Sequence, residues 1–237
     1  MNTEQEAYVP GMEHEGITVF MMGTVMVEYN RKPMPLMGNP QGKMLQLFLI
    51  LLYAGDKGVL REELLDMLYG NGENTNPSGS LRAAVFRLRK TLEGCGLPEH
   101  EYIRTDSGIY RWDGGGVPVY IDAKDFEITA HKALKQRDES LLKRACGLYQ
   151  GEFMAQLAGE KWVSIIGVRY QELYFDCLRM AYYIMKENRE YTDLLELASD
   201  ACDLYPYEEC QIMKIDCLIA MKRFKDAMQV YDQAVTQ

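Results

Sequence analysis

With 237 residues, 47% of them hydrophobic, the chain has material for two folded domains, and 35 acidic against 26 basic side chains give a net charge of −9. That balance argues against a nucleic-acid footprint spread over the whole surface, and the most apolar run, Leu47–Tyr53, is too short to cross a bilayer. Six cysteines with no CxxC pair and no histidine at ligand spacing exclude a zinc framework and point to reduced thiols. The acidic N-terminus has no apolar signal core, so a cytoplasmic protein with no membrane partner is expected.

The charge is unevenly placed. Residues 1–16 carry Glu4, Glu6, Glu13 and Glu15 and no base, and are expected to form a disordered acidic tail. Residues 17–120 are neutral, with eleven basic and eleven acidic side chains, and the remaining −5 lies in 121–237. A local basic face in the first half is therefore compatible with the acidic total.

From Ile17 the pattern is strand-like: ITVFMM, a break at Gly23, TVMVEY, the turn Asn30–Pro33, and a short third strand over Met34–Met37. Gly42-Lys43 opens a helix, MLQLFLILLYA, so apolar that it must be central, and Gly55 ends it. Val59–Tyr69 reads as a second helix with Leu60, Leu64, Leu65 and Leu68 on one face. A Gly/Asn/Pro-rich loop, GNGENTNPSG, follows, and Pro77-Ser78 suits the first turn of a third helix.

That third stretch, Ser78–Leu92, has two separated faces. Leu81, Ala84, Val85, Leu88 and Leu92 form one apolar stripe at helical spacing. The far side carries Gly79, Ala83, Phe86, Arg87 and Lys90, with Arg82 and Arg89 on the flank and no acidic residue. Taken alone, such a helix fits either insertion into a DNA groove or a solvated basic face. Gly94, Gly96 and Pro98 end it. Two β-prone runs around Asp106-Ser107-Gly108 then predict a hairpin. Strands, three helices with the third one basic, and a hairpin make a winged helix-turn-helix, which favours the groove reading.

Leu81-Arg82-x-x-Val85-x-Arg87-Leu88-Arg89-Lys90-x-Leu92, Ile103-x-Thr105 and Gly108-x-Tyr110-Arg111 resemble the winged helix of OmpR-type regulators, above all the version in the SARP family of antibiotic regulatory protein-type activators. Leu64 and Leu68-Tyr69 fit as well. No receiver domain precedes the winged helix in this sequence, so aspartate phosphorylation is not its expected input. The resemblance implies binding to double-stranded DNA at direct repeats by head-to-tail pairs, with recruitment of RNA polymerase. It also implies a polymerase contact for the loop Gly70–Gly79.

Gly114-Gly115-Gly116 marks the expected boundary between a DNA-binding domain over 17–116 and a second domain over 117–237. Val117–Ile121 reads as one more strand. From Asp122, a good N-cap, helices are expected at 122–135, 139–149, 160–188, 191–204, 207–221 and 223–235. A shift of 33 residues superposes Tyr191 on Phe224, Leu194 on Ala227, Leu195 on Met228, Leu197 on Val230 and Ala201 on Ala234. Pro206 falls at the turn, which is the tetratricopeptide pattern. This half resembles the bacterial transcriptional activator domain of the same family through Asp122, Phe126, Leu148-Tyr149-x-Gly151, Trp162, Pro206-x-Glu208 and Phe224-x-x-Ala227-x-x-x-Tyr231. Tyr170, Tyr174, Tyr182, Tyr183, Met180 and Met185, at helical spacing, are expected in its core.

The expected architecture is an α+β winged helix (small antiparallel sheet, three helices, hairpin wing) followed by an all-α tetratricopeptide-like domain. Arg82, Ala83, Phe86, Arg87 and Lys90 form the expected groove-facing set, with Arg89 on a phosphate or in an internal ion pair. Arg104, Thr105 and Arg111 are the wing candidates, and Lys43, Ser78 and Ser80 the candidates for phosphate near helix N-termini. No metal, cofactor or catalytic set is expected, since His14, His100 and His131 stand apart and no phosphate-binding glycine loop occurs. The leading expectation is a sequence-specific transcriptional regulator, with an activator role and self-association on DNA. The alternative is a tetratricopeptide-like adaptor whose winged helix does not bind DNA.

Overall fold

The structure is a computed structural model that describes residues 15–39, 41–70 and 75–236. The expected acidic tail, up to residue 14, and residues 71–74 of the loop before the third helix lie outside the described residues. The chain forms two compact units: one holds the residues up to Ala123 together with Phe153–Gly167, the other Lys124–Glu152 and the chain from Val168 on.

In the first unit, β1 (Ile17–Phe20) and β2 (Met26–Tyr29) pair antiparallel, and β3 (Lys32–Pro33) follows through Asn30 and Arg31, both at positive φ as a tight hairpin turn requires. The third strand expected over Met34–Met37 is a 3-10 turn, Pro35–Gly38, because Pro35 has no N–H for a ladder and its fixed φ suits a helical start. After α1 (Lys43–Ala54), the predicted second helix divides. Val59–Leu60 is a strand, β4, and only Arg61–Tyr69 is helical (α2). The cause is a distant partner, since Val59 and Leu60 pair with Tyr110 and Ile109.

Next come α3 (Pro77–Glu93) and the hairpin of β5 (Ile103–Asp106) and β6 (Ile109–Trp112), which with β4 makes a sheet of order β4-β6-β5. Ser107 (φ 50°) and Gly108 (φ 80°) form its two-residue turn in the left-handed conformation that matches strand twist. The Gly108 carbonyl accepts the Arg61 N–H at 2.8 Å, which ties the hairpin tip to the start of α2.

The first sheet is mixed, unlike the antiparallel one expected. Beyond Gly116, β7 (Val119–Ile121) returns to pair in parallel with β1, giving the order β3-β2-β1-β7. Asp122 follows at once. Its buried carboxylate accepts the N–H groups of Met21 (2.7 Å), Met22 (3.0 Å) and Ala123 (2.7 Å). The 153–167 segment is bound to the same unit: Met154 N–H donates to the Met21 carbonyl, Ala155 N–H to that of Gly23, and Val25 N–H to the Gln156 side chain. The core is α1, buried continuously from Leu45 to Leu52, against the stripe of α3 and the aromatic set Phe48, Tyr102 and Trp112.

The second unit is helical, built from α4 (Asp122–Gln136), α5 (Glu139–Leu148), most of α6 (Lys161–Asn188), α7 (Tyr191–Leu204), α8 (Glu208–Ala220) and α9 (Phe224–Thr236). α7 packs on α8 and α8 on α9, with Pro206 in the α7–α8 turn. Tyr191 and Phe224 open α7 and α9, and the superposed Leu194 and Ala227 are both buried, as the 33-residue shift requires. Tyr149 stacks on Tyr174 with centroids 4.5 Å apart, and its hydroxyl lies 2.7 Å from that of Tyr205. Burial raises the pKa of both hydrogen-bonded phenols, which keeps them neutral. Tyr170, Tyr174, Tyr182 and Met185 are in the core as expected, but Met180 is half-buried and Tyr183 exposed, because successive helical residues point about 100° apart. Cys146, Cys177, Cys210 and Cys217 are buried thiols, and burial pushes that of Cys177 up to about 12.

Candidate nucleic-acid interface

α3 begins where its sequence allows. Asn76 caps it by accepting the Gly79 N–H at 3.0 Å, Pro77 occupies a first-turn position that needs no donor, and no acidic residue sits in that turn. No acidic side chain of that turn opposes the partial positive charge of its N-terminal end, and the half-buried Ser78 and Ser80 lie beside it. Leu81, Ala84, Val85, Leu88 and Leu92 are all buried. This stripe fixes the rotation of the helix, so Arg82, Ala83, Phe86, Arg87 and Lys90 are all exposed. Phe86, at 68% exposure, is an apolar ring held in water between basic side chains. Arg87 Nε reaches back to the Ala83 carbonyl at 3.3 Å, so its guanidinium lies along the open face of its own helix.

Arg89, Lys43 and Arg104, also of the expected set, have partners outside their own elements. Arg89 donates to the Ile103 carbonyl at 2.6 Å and lies 3.1 Å from the Glu101 carboxylate. It braces the hairpin against α3, which fits the ion-pair reading of this residue. Lys43 lies 2.7 Å from Glu160, whose carboxylate also accepts from the fully buried Gln46 at 2.8 Å. Arg104 is 2.7 Å from Asp113. Cross-strand pairing sets Arg104 opposite Arg111 and Thr105 opposite Tyr110, so the two arginines share one face of the wing. Thr105 is exposed and Arg111 half-buried.

Glu101, His100 and Asp113 belong to this region and were not among the expected site residues. His100 is not isolated: its Nε2 lies 2.9 Å from Asp113 Oδ1. The Gly115 N–H donates to the same carboxylate at 3.0 Å, and this bond, followed by His100, holds the Asp113 carboxyl below its usual range. Gly115 is at φ +56°, and a Cβ there would come 2.6 Å from the His100 ring, so only glycine fits. The signal was present in the sequence. Once Asp106-Ser107-Gly108 fixes the hairpin register, Asp113 becomes the diagonal neighbour of Arg104 on the same face.

Among the described residues, no three His, Cys, Asp or Glu side chains are placed to hold a metal, and no helix is long and apolar enough to cross a membrane.

A helix with one buried stripe and one open basic face, preceded by two helices and followed by a hairpin, is a winged helix-turn-helix. The whole chain therefore joins a winged-helix unit to a tetratricopeptide-like helical one. Comparison with known proteins agrees. Residues 121–237 match the bacterial transcriptional activator domain family. The fold is similar to that of Mycobacterium tuberculosis EmbR, solved in complex with a low-affinity phosphopeptide, at TM-score 0.67 and 16% identity. The similarity covers 93% of this chain and 59% of that one, so the chain spans about three-fifths of the EmbR structure. A search of curated proteins finds no match. The architecture is thus SARP-like, related in fold to that of EmbR.

Proposed function

We propose that this chain is a sequence-specific regulator of transcription that binds double-stranded DNA in the cytoplasm. α3 enters the major groove, the β5–β6 wing grips adjacent backbone, and the helical unit makes protein contacts. One observation carries the reading: the buried stripe of α3 leaves Arg82, Ala83, Phe86, Arg87 and Lys90 together in solvent, on a helix without acidic residues up to Leu92. Arginine at such a position reaches guanine O6 and N7 with two bonds, Ala83 permits close approach, and Phe86 suits a thymine methyl. Ser78 and Ser80, at the helix N-terminus, are placed to meet phosphate. Arg104, Thr105 and Arg111 supply the wing contacts.

The match of 121–237 to an activator domain supports the finer reading, an activator that recruits RNA polymerase and pairs with a second copy on direct repeats. Phe224, Met228, Tyr231 and Val235, all exposed on α9 at helical spacing, support a protein-binding role for the second unit.

Selection of duplexes by the purified protein, followed by titration of the selected site and a random duplex, tests the reading. Arg87→Ala should lower discrimination between the two by about 1–3 kcal/mol. Arg104→Ala should weaken both alike and reduce the salt slope by about 1. Equal effects of the two variants on both duplexes, or no binding at low salt, would remove the assignment in favour of a protein adaptor.

A further inference from the structure

We propose that Asp113 is a positioning residue that competes with the DNA backbone for Arg104 and so sets the strength of the wing contact. The inference rests on the DNA-binding reading and adds a regulator of affinity to it. The two partners are unequally fixed. Asp113 is held on one oxygen by the Gly115 N–H at 3.0 Å, with His100 Nε2 2.9 Å from the same oxygen, and offers its other oxygen to Arg104 Nε at 2.7 Å. Arg104 stands opposite another arginine, Arg111, and its side chain is 60% exposed. The carboxylate is therefore the anchored member and the guanidinium the one free to swing.

In the unbound protein Asp113 neutralises Arg104 and aligns it along the wing. A phosphate that takes Arg104 must displace this carboxylate or bind beside its negative charge, and both lower affinity. Asp113 thereby keeps the wing from holding any duplex tightly through backbone charge alone. Discrimination then falls more heavily on the base-facing side chains of α3, because phosphate contacts carry no sequence information.

Asp113→Asn tests this, since the amide keeps an oxygen for the Gly115 N–H and replaces the charged acceptor facing Arg104 by a neutral donor. Random and selected duplexes should both bind about 3- to 10-fold more tightly, by the same factor. In an Arg104→Ala background the same substitution should change nothing. That readout separates action through Arg104 from general repulsion of DNA by an acidic side chain. Asp106→Asn, at the hairpin tip, supplies the comparison for an acidic wing residue that holds no arginine. A gain that persists in the Arg104→Ala background, or no gain in a wild-type background that does bind duplex, overturns the proposal. Absence of duplex binding by the wild type and Asp113→Asn alike, with unchanged melting, overturns the DNA-binding reading itself.

Discussion

Asp122→Ala is expected to cost the first unit about 3–5 kcal/mol of unfolding free energy, the largest loss from any single polar residue described above. The carboxylate is only 6% exposed and accepts two N–H groups, from Met21 and Met22, that lie 101 and 100 residues away in sequence. Alanine leaves both donors buried without that acceptor, each at a cost of about 1–3 kcal/mol. It also releases the joint between β7 and the end of β1. Asp122→Asn keeps one acceptor oxygen and should lose less than half as much. Both tryptophans, Trp112 and Trp162, belong to the first unit, so their fluorescence in a urea titration reads this unit directly. An unfolding free energy for Asp122→Ala within about 0.5 kcal/mol of wild type would mean that this carboxylate contributes nothing to the fold.

Asp122 also shows what a sequence does and does not reveal. As an N-cap it is recognisable from its place before a helical run. Its grip on Met21 and Met22 is not, because nothing local encodes a contact across a hundred residues. The same division holds along the chain. The stripe Leu81, Ala84, Val85, Leu88 and Leu92 is legible because burial on a helix repeats along the sequence itself. The hairpin is legible because Asp106-Ser107-Gly108 can do little else. By contrast, Val59–Leu60 looks helical until its partners on β6 are known. The return of residues 153–167 to the first unit depends on backbone bonds that carry no side-chain signature.

Within the candidate site, the exposed set on α3 followed from the phase of the buried stripe alone. What could not follow was which cations already have partners. Lys43 meets Glu160, 117 residues on, and Arg89 meets the carbonyl of Ile103. Side chains that look alike in sequence thus divide into two groups. Arg89 and Lys43 hold the first unit together, while Arg82, Arg87 and Lys90 are left to solvent. Arg104 stands between the groups, paired and yet exposed, and there a neighbouring carboxylate can set affinity.

Ala83→Glu is expected to abolish duplex binding, by at least ~100-fold or about 2.7 kcal/mol, while the protein melts as the wild type does. Ala83 is exposed on the open face of α3 between Arg82 and Phe86, in the part of the helix closest to its N-terminus. The substitution costs only a few tenths of a kcal/mol in helix propensity, since glutamate is a good helix former. On a duplex, the longer side chain would keep the helix from seating in the groove and would set a carboxylate against phosphates and base acceptors. The adjacent Ala84→Glu is the counterpart. Ala84 is fully buried, so an unpaired charge there should cost more than about 4 kcal/mol and unfold the unit. Two neighbouring positions given the same new side chain should therefore fail for opposite reasons, one in binding with the fold intact and one in folding. If Ala83→Glu bound selected and random duplexes as tightly as wild type, α3 would not be the element that enters DNA, whatever the hairpin does.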